Sequence, residues 1–210
     1  MPATDKLIAG YQRFLEGYYL QNKDYLKGLA KNGQSPKIAI VSCCDSRVDP
    51  TIILDCDPGD LFGIRNVANL VPPCEIDEGL HGTSAALEFA VLGLNVESII
   101  VLGHSQCGGI KSLMDTPPNS SSQSFIDKWM RQLQGVRENI VNVKYDTVQQ
   151  GYRACEEHAI SQSLTNLMTY DWLRARVQAG KLRLHGWYYD LDCADLFAIQ
   201  DSTNTFQKIN

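Results

Sequence analysis

Nowhere does this sequence run apolar for the roughly 20 residues that a bilayer-crossing helix needs. It also lacks any run of lysine and arginine. With 24 acidic against 19 basic side chains and a net charge of −5, it does not present the basic stripe of a nucleic-acid surface. The first twenty residues lack the basic-then-apolar pattern of a secretory leader. Its seven cysteines (43, 44, 56, 74, 107, 155 and 193) are an odd count in a chain too long to need a disulfide framework. Neither G-x-G-x-x-G nor G-K-[ST] occurs, which argues against a phosphate-cradling loop. These absences leave a cytoplasmic protein with reduced thiols, no membrane segment and no nucleic-acid partner.

What is present suits one globular α/β domain over residues 1–210, with 44% hydrophobic and 20% charged residues. Leu7, Tyr11, Phe14, Leu15, Tyr18, Tyr19, Leu26 and Leu29 recur at helical spacing. They predict a helix or helix pair over 5–30, closed by Asn32-Gly33. This aromatic arm, residues 1–35, packs on its own core or on a second subunit. From residue 36 the pattern alternates. KIAIVSC (37–43), DLFGIRN (60–66) and ESIIVLGH (97–104) read as buried strands, with helices predicted over 81–94 and from Ile110. Strand, helix, strand in this order predicts a mixed, largely parallel sheet flanked by helices. A polar Pro/Ser loop over 115–124 precedes two helical patterns, one through Phe125, Trp129, Leu133, Val136 and Ile140, the other through Leu164, Leu167, Met168, Trp172 and Leu173. KLRLHGWYYDL (181–191) reads as a closing strand or edge hairpin.

Two segments carry chemistry. VSCCDSR (41–47) ends the first strand with paired cysteines, an acid and a base. GHSQCGG (103–109) ends the third strand with His104 and Cys107 three residues apart. Carboxyl ends of parallel strands gather at one edge of a sheet, where ligands bind. A Cys₂His set meeting there suits zinc and leaves a fourth position open. Successive residues on a strand face opposite ways, so either Cys43 or Cys44 is the ligand and the other packs away. Asp45 and Arg47 could be a plain ion pair, and the cysteine–histidine group a structural zinc site or buried free thiols. His81, His158 and His185 read as surface or packing histidines; His81, ahead of a helix near the motifs, is also placed for a proton relay. Cys56, Cys74, Cys155 and Cys193 have no ligand spacing.

CCDSR followed 61 residues later by GHSQCGG resembles the β-class carbonic anhydrases, whose pattern is Cys-x-Asp-Ser-Arg and then His-x-x-Cys. RNVAN (65–69) and the block from AALEF to CGG match as well, so the resemblance runs from about residue 34 to 111 and, weakly, through GWYYDL. It implies that Cys43, His104 and Cys107 hold one zinc ion per subunit, with Cys44 the free position. Asp45 is implied as orienter and proton acceptor, and Arg47 as its clamp. The implied activity is reversible hydration of carbon dioxide to bicarbonate and a proton, by attack of zinc-bound hydroxide. Gln34, Phe62, Val67, Phe89 and Gly108 are the implied substrate-cleft positions; Phe89 stands where the plant-like members commonly have tyrosine. The resemblance also implies a homodimer, often assembled further into a tetramer, with the cleft near the subunit interface. Some relatives carry a bicarbonate-responsive pocket built on a tryptophan three residues before the first ligand cysteine and on the arginine of the RN motif. Here those positions are Ile40 and Arg65, which implies the constitutively open, plant-like type. Alternative expectations are hydrolysis of carbonyl sulfide or carbon disulfide on the same scaffold, or a non-catalytic zinc protein.

Overall fold

The computed structural model describes residues 2–116, 124–200, 203 and 205–209, so most of the expected Pro/Ser loop at 115–124 lies outside the described residues. The chain forms two compact units, 1–35 and 36–210. In the first, the expected helical stretch is two helices. Helix α1 (Ala3–Phe14) runs into a π turn at Leu15–Tyr19, and α2 (Lys23–Asn32) follows. Phe14 stacks on Tyr11 and Tyr18 within this unit, the i, i+3 and i, i+4 neighbours of a helix face. Gly33, at φ 79°, stops α2 in a backbone region that glycine enters without strain.

The second unit is built on a sheet of six described strands in the order β2-β1-β3-β4-β5-β6. Strands β1 (Ile38–Cys43), β2 (Leu61–Asn66), β3 (Ser98–His104) and β4 (Arg183–Tyr189) are parallel. Strands β5 (Leu196–Gln200) and β6 (Thr205–Lys208) add antiparallel pairing beyond β4. The sheet is thus mixed and largely parallel. β4 is an interior strand, and the hairpin lies after it. All seven residues of β3 are buried, as expected of a strand covered on both faces.

Short helices α3 (Pro50–Ile53) and α4 (Gly82–Glu88, extended by a π turn at Phe89–Gly93) connect the early strands. After β3 come α5 (Gly108–Asp115), α6 (Phe125–Met130), α7 (Gln134–Val141), α8 (Val148–Leu167) and α9 (Asp171–Gln178). Helix α8 opens on a capping box. The Thr147 hydroxyl accepts from the Gln150 amide, and the Gln150 side chain accepts from the Thr147 amide.

Two glycines bring α8 close to the sheet. A Cβ on Gly103 of β3 would lie 2.7 Å from Ile160, and one on Gly186 of β4 would lie 3.0 Å from the same side chain. Both strands therefore present bare backbone to α8, and Ile160 is fully buried between them. Gly103 immediately precedes His104, so this close packing also positions the strand end that carries the chemistry.

Candidate metal centre

Three strand-end features converge at one edge of the sheet. Cys43 ends β1, His104 ends β3, and Cys107 caps α5 one short turn later. Their ligand atoms lie within 4.8 Å of one another, and all three residues are buried. Asp45 is not part of this group. Cys44, one residue past the strand, is exposed. All seven cysteines are free thiols.

The backbone around the cluster is bent to reach it. Ala68 (φ 62°), Asn69 (φ 49°) and Gln106 (φ 58°) are in the left-handed region, each costing on the order of 1 kcal/mol for a non-glycine residue. The turn through Val67–Asn69 brings the Ala68 amide to the Cys43 sulfur, where the Asp45 amide also lies. Gly109 makes room for this turn, since a Cβ there would sit 2.8 Å from Val67 and 3.1 Å from Ala68.

The donor set fits a metal ion. His104 Nδ1 donates to the Ser105 carbonyl at 2.8 Å, which fixes the tautomer and leaves Nε2 as a lone-pair donor. That Nε2 is buried and has no hydrogen-bond partner, a state that is unfavourable unless a cation takes the lone pair. The Cys107 thiol, by hydrogen bonding, pulls the Cys43 pKa well down against the opposing effect of burial, with His104 assisting. The Cys107 pKa is driven up in turn, because the Cys43 sulfur beside it and the burial both oppose a second anion. Burial disfavours a charged His104, but the Cys43 thiolate outweighs it and raises its pKa. Two sulfurs and one imidazole contesting protons in a buried pocket is the arrangement a divalent cation relieves.

Asp45 and Arg47 stand at the mouth of this cluster. Arg47 Nε donates to Asp45 Oδ1 at 3.0 Å, Nη2 donates to Oδ2 at 2.8 Å, and the Arg47 amide adds a third bond to Oδ1 at 2.9 Å. This fork holds the Asp45 carboxyl far below the usual carboxylate range. Arg47 Nη2 also donates to the Gln106 carbonyl at 3.0 Å, tying the two motif loops together. Gln106 in turn donates to Asp192 at 2.8 Å, and the Leu191 amide donates to Ser105 Oγ at 2.8 Å.

Two further residues support the centre. Glu156 of α8 is buried; its Oε1 accepts from the Cys107 amide at 3.0 Å and its Oε2 from the Tyr188 hydroxyl at 2.9 Å. Burial pushes its carboxyl up while those two donors pull it down. It lies 49 residues past Cys107, and no local spacing announces it. Arg65 is the second. Its Nε donates to the Cys43 carbonyl (3.1 Å), Nη2 to the carbonyls of Asp45 (2.9 Å) and Val48 (2.7 Å), and Nη1 to Asp49 (3.3 Å). It staples the loop after β1 from beneath. Ile40 is buried with Ile100 and Leu102.

The cleft positions distribute unevenly. Gly108 begins α5 beside Cys107 and is exposed. Val67 is half-buried and lines a cleft of about 570 Å³ with Asn66, His81, Thr83 and Trp129. Phe62 and Phe89 pack on each other, with ring centroids 5.9 Å apart. Phe62 pairs with Ala39, however, four residues before Cys43, so about 13 Å of strand separates it from the cluster. Within one chain these two rings do not reach the centre. Gln34 is exposed and belongs to the first unit.

A sequence profile of the family described as carbonic anhydrase matches residues 38–196. The chain is 42% identical to the β carbonic anhydrase 5, chloroplastic, of Arabidopsis thaliana over 198 residues. That alignment covers 90% of this chain and 64% of the relative, so the chain spans less than two thirds of that protein's length. Among solved structures, it resembles the β-carbonic anhydrase CcaA at 31% identity and a TM-score of 0.89, covering 99% of this chain and 92% of that one. It also resembles a tetrameric β-carbonic anhydrase from Sordaria macrospora at 27% identity and a TM-score of 0.83, covering 95% and 98%.

Proposed function

Because this chain belongs to the β-class carbonic anhydrases, we propose that it catalyses the reversible hydration of carbon dioxide to bicarbonate and a proton, using one zinc ion per subunit. The observation that carries this reading is the buried Cys43–His104–Cys107 group with Asp45 drawn aside by Arg47. Three ligands with an unused fourth position belong to catalytic zinc sites, whereas structural sites are closed by four. Zinc bound there would supply a coordinated water of lowered pKa.

The chain's own residues do the rest. Cys43 and Cys107 serve as thiolates and His104 as a neutral donor through Nε2. Asp45, kept ionised by the fork, accepts a hydrogen bond from the nucleophilic water and so turns an oxygen lone pair towards carbon dioxide. Arg47 keeps that carboxylate at a fixed angle and away from the open position. Glu156 and the Ser105 carbonyl hold Cys107 and His104 in place from behind. We read this as the open-site arrangement, in which Asp45 would leave a bound ion's fourth position to solvent.

A homo-oligomer, dimer or tetramer, belongs to the same reading. It would let Phe62 and Phe89 of a second copy approach the cleft beside Val67 and Gly108, with Gln34 as a further substrate contact. Thiolate ligation suits a reducing compartment, of which the cytoplasm is one.

Stopped-flow hydration of carbon dioxide, paired with metal analysis, tests the proposal. Zinc near one per chain with turnover is expected, and zinc without turnover at any pH would refute it. Asp45→Asn should keep the metal and slow hydration by about a hundredfold, the lower end for loss of a proton-handling group. Parallel assays with carbonyl sulfide and carbon disulfide should show carbon dioxide preferred.

A further inference from the structure

Hydration of carbon dioxide liberates one proton per turnover, and the groups at the metal centre are poorly suited to carry it away. Both Asp45 oxygens are engaged by Arg47, so this carboxylate is fixed in place rather than free to swing outward with a proton. His104 is assigned to the metal, and Glu156 is sealed behind Cys107. Outside this group, the cleft beside the centre contains one titratable side chain among its described lining residues, His81.

Consecutive residues of one turn link the cleft to the cluster. Val67 lines the cleft, while the next residue, Ala68, places its amide against the Cys43 sulfur. Asn66, also in the lining, accepts from the Cys44 amide at 2.9 Å and donates through Nδ2 to Thr83 at 3.2 Å. That bond ties the strand end to the start of α4, where His81 is the N-cap residue.

His81 is held in a definite state. Its Nε2 donates to Asp77 Oδ1 at 2.7 Å, and Asp77 Oδ1 also accepts from the Gly79 amide. Donation from Nε2 leaves Nδ1 as the basic nitrogen. The side chain is 34% exposed, so the ring is open to solvent at the cleft it lines. An imidazole is the side chain whose ordinary charge change falls nearest neutral pH, which lets it both take and release a proton there.

We propose that His81, oriented by Asp77, relays the proton from the metal centre to buffer; the proposal rests on the carbon dioxide hydration reading. Nδ1 takes the proton through cleft water, giving an imidazolium that keeps its Nε2 hydrogen bond to Asp77. Nδ1 then gives that proton to a buffer base, which restores the starting tautomer. No bond to carbon forms or breaks at this residue.

A relay acts after carbon dioxide has been converted, so its loss slows kcat and spares kcat/KM. The experiment is stopped-flow hydration by the zinc-loaded full chain and its His81→Ala variant, across a range of buffer concentrations. At low buffer, kcat should fall at least about tenfold in the variant while kcat/KM holds. Added imidazole should restore kcat in a saturable manner, a rescue that a structural role would not produce. Unchanged kcat at low buffer in an active parent overturns the relay alone. A joint fall in kcat and kcat/KM without imidazole rescue also overturns it, as it would mark His81 as part of the cleft wall. A parent chain that binds zinc but hydrates no carbon dioxide overturns the functional reading and the relay together.

Discussion

Cys43 and Cys44 are one position apart and have opposite surroundings. The first is buried against His104 and Cys107 with two backbone amides at its sulfur; the second is exposed. Cys43→Ser should therefore lose most of its zinc, whereas Cys44→Ser should retain it, as read by metal analysis after dialysis against a chelator. Both motifs were legible in the sequence because each is local: CCDSR brings a ligand, an acid and a base, and HSQC two ligands, within a few residues of a strand end. Glu156 was not, because it reaches Cys107 only through the docking of α8. Arg65 was visible as the arginine of RNVAN, but its bonds to three carbonyls of another loop were not.

At the scale of elements, the close approach of α8 to β3 and β4 depends on two missing side chains. Gly103→Ala would press a methyl group against Ile160 at 2.7 Å, and overpacking of this kind costs about 1–3 kcal/mol. Urea unfolding should show that loss, and Ile160→Val should recover part of it. Helix α3 offers a pH test. Asp49 caps it, accepting from the Thr51 amide at 3.0 Å and the Thr51 hydroxyl at 2.7 Å. The Thr51 hydroxyl holds Asp49 below the usual carboxylate range, with burial opposing. A depressed carboxyl contributes fully above its unfolded pKa of about 4, and the contribution drains away as pH falls through the lower folded value. Asp49→Asn should thus flatten the acid side of the stability curve, while Asp49→Ala should cost up to about 1 kcal/mol near neutrality for this half-exposed cap. β1 and β3 were readable as apolar runs because both their faces are covered. β5 and β6 passed unnoticed because each is short and at most half-buried, so neither carries such a run.

At the scale of the whole molecule, the separation of Phe62 and Phe89 from the cluster of their own chain makes assembly testable through function. Mixed oligomers of a Cys43→Ser chain and a Phe62→Ala/Phe89→Ala chain should be more active than either alone. In such a pair one site has intact ligands from one copy and intact rings from the other. Activity in the mixture equal to the average of the two variants would exclude a shared cleft.

Arg65 bears on control of flux. With four hydrogen bonds already made to the loop that carries Cys43 and Asp45, its guanidinium is a beam in the scaffold. A product anion could recruit that side chain only by pulling the loop apart. Throughput should then answer to gas supply and mass action alone, and bicarbonate should inhibit along a simple hyperbola rather than a sigmoid.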